Sequence, residues 1–248
     1  MSTQNERVAR LEPVVAPGSV EEVRARLRGC RLCVEAGYRA DGPPLHRNGP
    51  LPAPIFVLGQ APAAVHAANP RTPAFSPGRH GQPSPLWSWL AEAGWPEAEF
   101  RRTAFMTAIT RCYPGPAPSG SGDRRPSAYE QRLCRPFWQT ELAAANPEII
   151  ITLGTMALHA LGFRGARLRE AVGRTYELQL VGAAGERNIP VLPLPHPSGV
   201  SRWLTAAAHR AQLDQALALL AERTAHLNGA APAATSEGSA DPPEALPC

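Results

Sequence analysis

Short apolar runs that each end in a glycine or proline loop constrain the fold of this chain more than any other feature. The runs are PIFVLGQAP at 54–62, RTAFMTAITRC at 102–112, PEIIITLG at 147–154 and IPVLPLPHPSG at 189–199. Each is apolar throughout rather than alternating, which is typical of strands buried on both faces of a parallel sheet. Because helical segments lie between them, we predict a single-domain, three-layer α/β/α sandwich around a mostly parallel, four-stranded sheet.

Helix signals follow and separate these strands. SVEEVRARLRGC at 19–30 begins with Ser19 as an N-cap and has acids in its first turn and arginines in its last, as the helix dipole favours. Four further helices are predicted, at 84–95, at 127–145, after the glycine turn within 147–161, and at 204–223. Between the second strand and the helix at 127–145, PGPAPSGSGDRRP at 114–126 has the composition of a long flexible loop.

The two ends of the chain differ in composition from its body. Residues 1–18 mix charge with proline and glycine, and 228–248 are rich in small residues and proline, so neither segment can bury a core. We predict a flexible segment at 1–18, one folded domain at 19–227 and a disordered tail at 228–248. The chain has no apolar run of the ~18 residues that a membrane span needs. MSTQNERVARLEPVV lacks a secretory signal pattern, so we expect a cytoplasmic protein.

Four loops at the predicted carboxyl edge of the sheet concentrate most of the reactive residue types. GQAP, TRCYPG, LGT and HPSG each follow a strand. Ligands of open parallel sheets bind at this edge, in the crevice outside the strand ends. His196 stands in the last loop between two prolines, where it is either part of a surface turn or a group that acts on a ligand. The net charge of +4 suits a polyanionic partner without requiring one.

Four of the five cysteines stand in the predicted domain. They are Cys30, Cys33, Cys112 and Cys134, whereas Cys248 ends the tail. Structural disulfides are not expected in a cytoplasmic protein. Four thiolates around one core can hold a tetrahedral zinc ion or an iron–sulfur cubane. The wide, irregular spacing is less typical of zinc fingers and favours a [4Fe–4S] cluster, with separate buried thiols as the alternative.

Six motifs occur in an order that resembles the uracil-DNA glycosylase superfamily. They are GQAPAA at 59–64, PAFSPGRHG at 73–81, TRCYPG at 110–115, LCRPF at 133–137, IITLGTMAL at 150–158 and HPSG at 196–199. The cysteine arrangement resembles the iron–sulfur branches, families four and five, and GQAPAA followed by Asn, Arg and Phe-Ser is most similar to family five. The resemblance implies a monomeric enzyme that flips a damaged base out of DNA and hydrolyses its N-glycosidic bond, leaving an abasic site.

The resemblance also assigns roles in a base pocket. Phe75 would stack on the flipped base. The backbone of Gly59, Gln60 and Ala61 would hydrogen-bond the base carbonyl and place the attacking water, with Gln60 as a catalytic candidate. His196 would donate to the base O2, where negative charge builds as the bond breaks, and a preorganised donor there is a large catalytic contribution.

Further roles concern the cofactor and the DNA strand. The four cysteines of the predicted domain would ligate a structural [4Fe–4S] cluster. Ser198 and the amides near Gly199 would bind a phosphate beside the lesion. Arg202 or Trp203 would fill the stack that the flipped base leaves, since inserted side chains keep a duplex open.

Two positions depart from the patterns of these families. Ala108 stands where family four carries an asparagine that reads the edge of uracil, and Ser76 follows Phe75 where family five carries an acidic residue. The Gln60–Ala61 step also lacks the aspartate of the best-known branch, so no general base is evident. A site without a specific reader discriminates poorly. We therefore hypothesise removal of uracil and other deaminated bases with looser selectivity than in uracil-only enzymes.

Two other functions compete with this one. A non-catalytic or DNA-crosslinking homologue would keep the fold and cluster but lack base release, and the missing polar side chains at Ala61, Ala108 and Gly78 favour it. An unrelated zinc-bound α/β enzyme acting on small molecules is the second.

Overall fold

A computed structural model describes most of the chain. It covers residues 7–11, 19–41, 49–69, 72–77, 81, 83–120, 122–182, 185–198, 203 and 207–228. Within these residues one sheet contains the strands β1 (Val8–Leu11), β2 (Ile55–Gly59), β3 (Ala104–Ala108), β4 (Ile149–Leu153), β5 (Tyr176–Gly182) and β6 (Gly185–Leu194). The helices are α1 (Val20–Arg28), α2 (Leu32–Glu35), α3 (Ala64–Ala68), α4 (Pro85–Glu92), α5 (Glu97–Thr103), α6 (Ala128–Ala145), α7 (Thr155–Ala160), α8 (Leu168–Ala171) and α9 (Ala207–Thr224). In the described part, no helix combines the length and apolarity that crossing a membrane requires.

The strand order is β1-β5-β6-β4-β2-β3, and every neighbouring pair is parallel except β5–β6. This confirms an α/β domain around a mostly parallel sheet. The prediction of four strands is wrong, because the sheet has six strands within the described residues. The four strands that the sequence predicts, β2, β3, β4 and β6, are neighbours in the sheet and carry its long apolar runs.

The two additional strands have weaker sequence signals. In β5, Tyr176, Leu178 and Leu180 are buried while the residues between them are half-buried, and the strand forms an antiparallel hairpin with β6. At the sheet edge β1 pairs with β5 and buries only alternate residues. Residues 8–11 therefore correct the prediction that all of 1–18 is a flexible segment, because a neighbouring strand provides the backbone partners that this short stretch needs. The predicted tail at 228–248 lies outside the described residues apart from its first residue.

Capping residues start two helices where the sequence predicts. The backbone N–H of Glu22 donates to Ser19 Oγ at 3.3 Å, and the Ser19 N–H donates to the Glu22 carboxylate at 2.7 Å. Ser127 and Glu130 form the same capping box at the start of α6. Each pair provides acceptors for two backbone N–H groups that the start of a helix would otherwise leave without partners.

Side chains of the central strands alternate between two cores. On β2, Ile55 and Val57 face a core covered by α4, α5 and α9, whereas Phe56 and Leu58 face a core covered by α6 and α7. A third, smaller cluster joins α1 to α6 and contains Cys134. The result is a three-layer arrangement with helices on both faces of the sheet.

The parallel strands end at one edge of the sheet. Gly59 of β2 is in register with Ala108 of β3, and Leu153 of β4 is in register with Leu194 of β6. The loops that follow these four strands therefore leave the same edge, as the sequence predicts.

Candidate active site

A cavity of about 1020 Å³, here named the edge cavity, opens where these loops leave the sheet. It gathers residues that are far apart in the sequence but follow neighbouring strands. Of the predicted site residues, those that line it are Gly59, Gln60, Ala61, Phe75, Ala108, His196 and Ser198. The structure thus brings together the catalytic and base-binding candidates, together with one of the predicted phosphate contacts.

Phe75 has an unusual backbone conformation that its neighbours hold in place. Its φ of 56° is uncommon for a residue other than glycine. The indole N–H of Trp87 donates to the Phe75 carbonyl at 2.9 Å, and the Arg101 guanidinium donates to the Ala74 carbonyl at 2.8 Å. Arg101 also lies over the Trp87 ring, 4.2 Å from its centroid. These contacts hold the backbone at Phe75, whose side chain packs against the core and lines the edge cavity.

The loop after β2 is tied to the loop after β3 through its carbonyl groups. The Ile109 N–H donates to the Gly59 carbonyl at 3.0 Å, and the Thr110 N–H donates to the Gln60 carbonyl at 3.4 Å. Gly59 also approaches the aromatic platform, since a Cβ built there would lie 3.7 Å from Phe75 Cζ. The two loops and the platform therefore form one connected wall.

His196 stands against a glycine at the end of β4. Gly154 has a φ of +84°, and a Cβ added there would come within 3.2 Å of His196 Cβ. Burial lowers the pKa of His196, and the nearby charges of Asp123 and Arg125 act on it in opposite directions. The imidazole is therefore neutral at neutral pH, and a neutral imidazole can donate one N–H.

The loop 114–126 contributes charged residues that the sequence interpretation left out of the site. Asp123 and Arg125 both line the edge cavity. The loop is not the contact-free insertion that its composition suggests, because Arg124 donates to Glu130 at 2.7 and 2.8 Å and to the Pro114 carbonyl at 2.9 Å. The sequence shows only a run of proline, glycine and serine followed by three charged residues, and this pattern does not indicate the anchoring.

The four cysteines line a second cavity of about 440 Å³, here named the cysteine cavity. Cys30 follows α1, Cys33 lies in α2, Cys112 follows β3 and Cys134 lies in α6, and all four are free thiols. A hydrogen bond from Cys134 lowers the pKa of Cys33, and burial raises the pKa of Cys112 to about 12. The hydrogen bond with Cys33 is the main cause that raises the pKa of Cys134, and burial adds to it. The fold thus brings the four predicted ligands to one cavity.

Among the described residues, no group of three or more histidine, cysteine or acidic side chains converges closely enough to hold one metal ion. A zinc site would need such convergence, because each sulfur ligand lies about 2.3 Å from the ion.

Arg111 borders both cavities. Its guanidinium donates twice to the Glu141 carboxylate, at 2.9 and 3.0 Å, and both side chains are almost fully buried. Thr107 donates to the same carboxylate at 3.0 Å. Burial raises the pKa of Glu141, while the arginine and the threonine oppose this effect. The backbone of Arg111 also hydrogen-bonds the sulfur of Cys134. Arg111 therefore connects the wall of the edge cavity to one of the four cysteines.

The predicted DNA-contacting residues are only partly within the described chain. Ser198 lines the edge cavity, whereas Gly199 and Arg202 lie outside the described residues. Trp203 is not part of the cavity lining. Its ring stacks on His209, with centroids 4.4 Å apart, and packs against the core beneath α9.

Comparison with known protein families agrees with this geometry. The family model described as the uracil DNA glycosylase superfamily matches residues 46–227, which is most of the chain. The chain belongs to the uracil DNA glycosylase superfamily. A search of curated proteins found no match.

Membership of the superfamily decides between some of the alternatives. It removes the unrelated α/β enzyme, because the matched region contains every residue named above in the edge cavity. The matched region begins after Cys30 and Cys33, so it includes only two of the four cysteines. The iron–sulfur branch and the nearest family within the superfamily therefore stay predictions.

Proposed function

We propose that the protein is a DNA repair glycosylase that flips uracil or another deaminated base into the edge cavity and hydrolyses its N-glycosidic bond. One observation carries this proposal: Phe75, the Gln60 loop and His196 line one cavity in a chain of the uracil DNA glycosylase superfamily. A volume of about 1020 Å³ is sufficient for a nucleobase together with its sugar.

The chemistry follows from the position of each group. An extruded base needs a face to stack on, and the ring of Phe75 offers one. As the N-glycosidic bond breaks, negative charge collects on the base O2. A neutral His196 would donate its N–H to that oxygen and stabilise the developing charge, with no change in its own protonation state. Main-chain groups of Gln60 and Ala61 would orient the base and water, and Ser198 would bind a backbone phosphate.

The cysteine cavity is proposed to hold a [4Fe–4S] cluster through Cys30, Cys33, Cys112 and Cys134. Four free thiols from separate elements line one space, and two of them, Cys33 and Cys134, are in hydrogen-bond contact. Four cysteine thiols are the donor set that a cubane requires, because each of its four irons binds one cysteine sulfur. When bound, the cluster would cross-link α1, α2, α6 and the loop after β3 and would take no part in base release.

Selectivity is proposed to be loose. Ala108 lines the edge cavity where family four carries an asparagine, and its methyl group cannot hydrogen-bond a base. Ala61 likewise offers no polar side-chain atom. We therefore propose hypoxanthine, xanthine and mismatched thymine as substrates to be tested beside uracil.

The test compares wild type with His196→Ala on DNA strands that carry one of these four bases. Abasic-site formation is measured by alkaline strand cleavage under single-turnover conditions. We expect wild type to release uracil and His196→Ala to be slower by about 10²–10³-fold, the usual effect of losing one such donor. His226→Ala is the matched control, because His226 pairs with Glu148 on the surface at 2.7 Å. No release of any base by wild type, or equal rates in wild type and His196→Ala, contradicts the proposal.

The cluster is tested separately from the activity. Purified protein should be brown and contain iron and sulfide in equal amounts, and Cys134→Ser should lose both. Cys248→Ser, at the end of the chain, is the control and should keep them. Colourless protein with bound zinc, or protein without metal, rejects the cluster and leaves the glycosylase proposal to its own test.

A non-catalytic or crosslinking homologue is the second candidate, favoured by the two alanines in the cavity wall. It predicts binding of uracil-containing DNA without abasic sites, or an adduct that survives denaturation. Measuring abasic sites and denaturation-resistant adducts on the same gels distinguishes this homologue from an active glycosylase.

A further inference from the structure

One carboxylate in the edge cavity has no role in the proposal so far. Among the described lining residues, Asp123 is the sole acidic side chain. Gln60, Ala61 and Ser76, which also line the cavity, carry no acidic group. The cavity therefore has an acid, but it comes from the loop between β3 and α6.

The surrounding structure holds Asp123 in position. The hydroxyl of Tyr113, a buried residue, donates to Asp123 Oδ1 at 3.0 Å. Asp123 forms an isolated β-bridge with Pro116, and the following residue, Arg124, is anchored by Glu130. An exposed loop residue with these contacts has a restricted orientation, which a catalytic group requires.

Two charged residues of the edge cavity lie close enough to His196 to act on it electrostatically. Asp123 and Arg125 both affect the pKa of His196, so all three groups share the cavity. The second arginine of the wall, Arg111, is already paired with the buried carboxylate of Glu141. Of the described lining residues, Asp123 thus carries the one carboxylate, and a carboxylate can accept a proton from water or face a cation.

We propose that Asp123 is the general base of this enzyme and faces the C1′ atom of the flipped nucleotide. The inference rests on the proposed glycosylase function. In the step, the bond between C1′ and the base nitrogen breaks and its electron pair leaves with the base, whose O2 accepts a hydrogen bond from His196. A water oxygen forms a bond to C1′, and the water proton passes to the Asp123 carboxylate. While the bond is breaking, the same carboxylate stabilises the positive charge on the sugar.

The experiment compares Asp123→Asn with wild type in two measurements. The first is the single-turnover rate on uracil-containing DNA, which should fall by about 10²–10⁴-fold, the range for loss of a general base. The second is affinity for DNA carrying a cationic pyrrolidine in place of the sugar, relative to DNA with a neutral tetrahydrofuran. Wild type should prefer the cation by roughly fivefold or more, and Asp123→Asn should lose that preference.

Two further variants separate catalysis from folding. Asp214→Asn changes an exposed aspartate that pairs with Arg210 on α9 and should behave as wild type in both measurements. Tyr113→Phe keeps the Asp123 charge but removes its hydrogen-bond donor, so it should lower the rate while keeping part of the preference for the cation. If Asp123→Asn only weakens the fold, both DNA analogues lose affinity equally, which overturns the inference.

The outcomes distinguish the two proposals. Wild-type cleavage together with an unchanged rate and unchanged analogue preference in Asp123→Asn overturns the role of Asp123 and leaves the glycosylase function standing. No cleavage by wild type overturns both.

Discussion

Replacing Gly154 with alanine tests whether the end of β4 positions His196. Gly154 has φ +84° and ψ 171°, a region that is essentially restricted to glycine. The added methyl group would also lie 3.2 Å from His196 Cβ and 3.6 Å from its Cδ2. The substitution therefore has two separable effects, one on the backbone of Gly154 and one on the neighbouring imidazole.

The size of each effect follows from this geometry. Backbone strain of this kind costs about 1–3 kcal/mol in the free energy of unfolding. A contact at 3.2 Å requires His196 to move by a few tenths of an ångström. Since a 1 Å misplacement of a reacting group lowers rates by about 10²-fold, we expect a loss of about threefold to tenfold in single-turnover base release.

The assay combines urea unfolding with single-turnover cleavage of uracil-containing DNA. Gly185→Ala is the matched control, because Gly185 also has a positive φ, of +110°, but nothing within 4 Å of an added Cβ. It stands at the β5–β6 hairpin, at the opposite end of β6 from His196, so it should lose stability and keep its rate. In a His196→Ala background, Gly154→Ala should not lower the rate further. A Gly154→Ala enzyme that cleaves at the wild-type rate refutes the positioning argument.

Three other perturbations address the surroundings of the site. Glu141→Gln leaves the buried guanidinium of Arg111 without its counter-charge, and we expect urea unfolding to show a loss of about 3–5 kcal/mol. Trp87→Phe removes the indole donor to the Phe75 carbonyl, so the free energy of unfolding should fall by about 1 kcal/mol and base release should slow severalfold. Burial lowers the pKa of His196 in the folded state below its unfolded value of about 6.5. The neutral imidazole therefore contributes to the free energy of unfolding above that pH, and the contribution is lost as the pH falls through the lower folded-state pKa. Urea midpoints measured from about pH 7 to 5 should decline less steeply in His196→Asn.

The central sheet was predictable because its strands are buried on both faces. Every residue of β2 and of β4 is buried, so their apolar runs carry no competing polar signal. The edge strands are different. β1 offers only Ala9 and Leu11 to the core, and such a short alternation within a charged, Pro-containing segment cannot be distinguished from a loop without its partner strand.

The same reasoning explains which site residues the sequence indicated. His196 and Gln60 directly follow long apolar strands, so their position at the sheet edge follows from topology. Asp123 depends on contacts within its own loop, to Tyr113 and Pro116, whereas the Arg111–Glu141 pair joins a loop to a helix 30 residues along the chain. No local pattern encodes those contacts, since a charged loop residue that is anchored looks the same in sequence as one that is solvated.

The wall of the edge cavity bears directly on which bases can be distinguished. Specific rejection of a wrong base requires a buried polar group that the wrong base leaves without a partner, and such a site discriminates by 10⁴-fold or more. Ala61 and Ala108 supply no such group, so at these two positions only main-chain atoms and the shape of the cavity remain to distinguish one base from another. A shape difference of one methyl group is worth about 1–3 kcal/mol, or roughly 10–200-fold. An enzyme with this wall should therefore rank bases by how easily they leave the duplex and depart as anions, rather than by the pattern of polar groups along their edge.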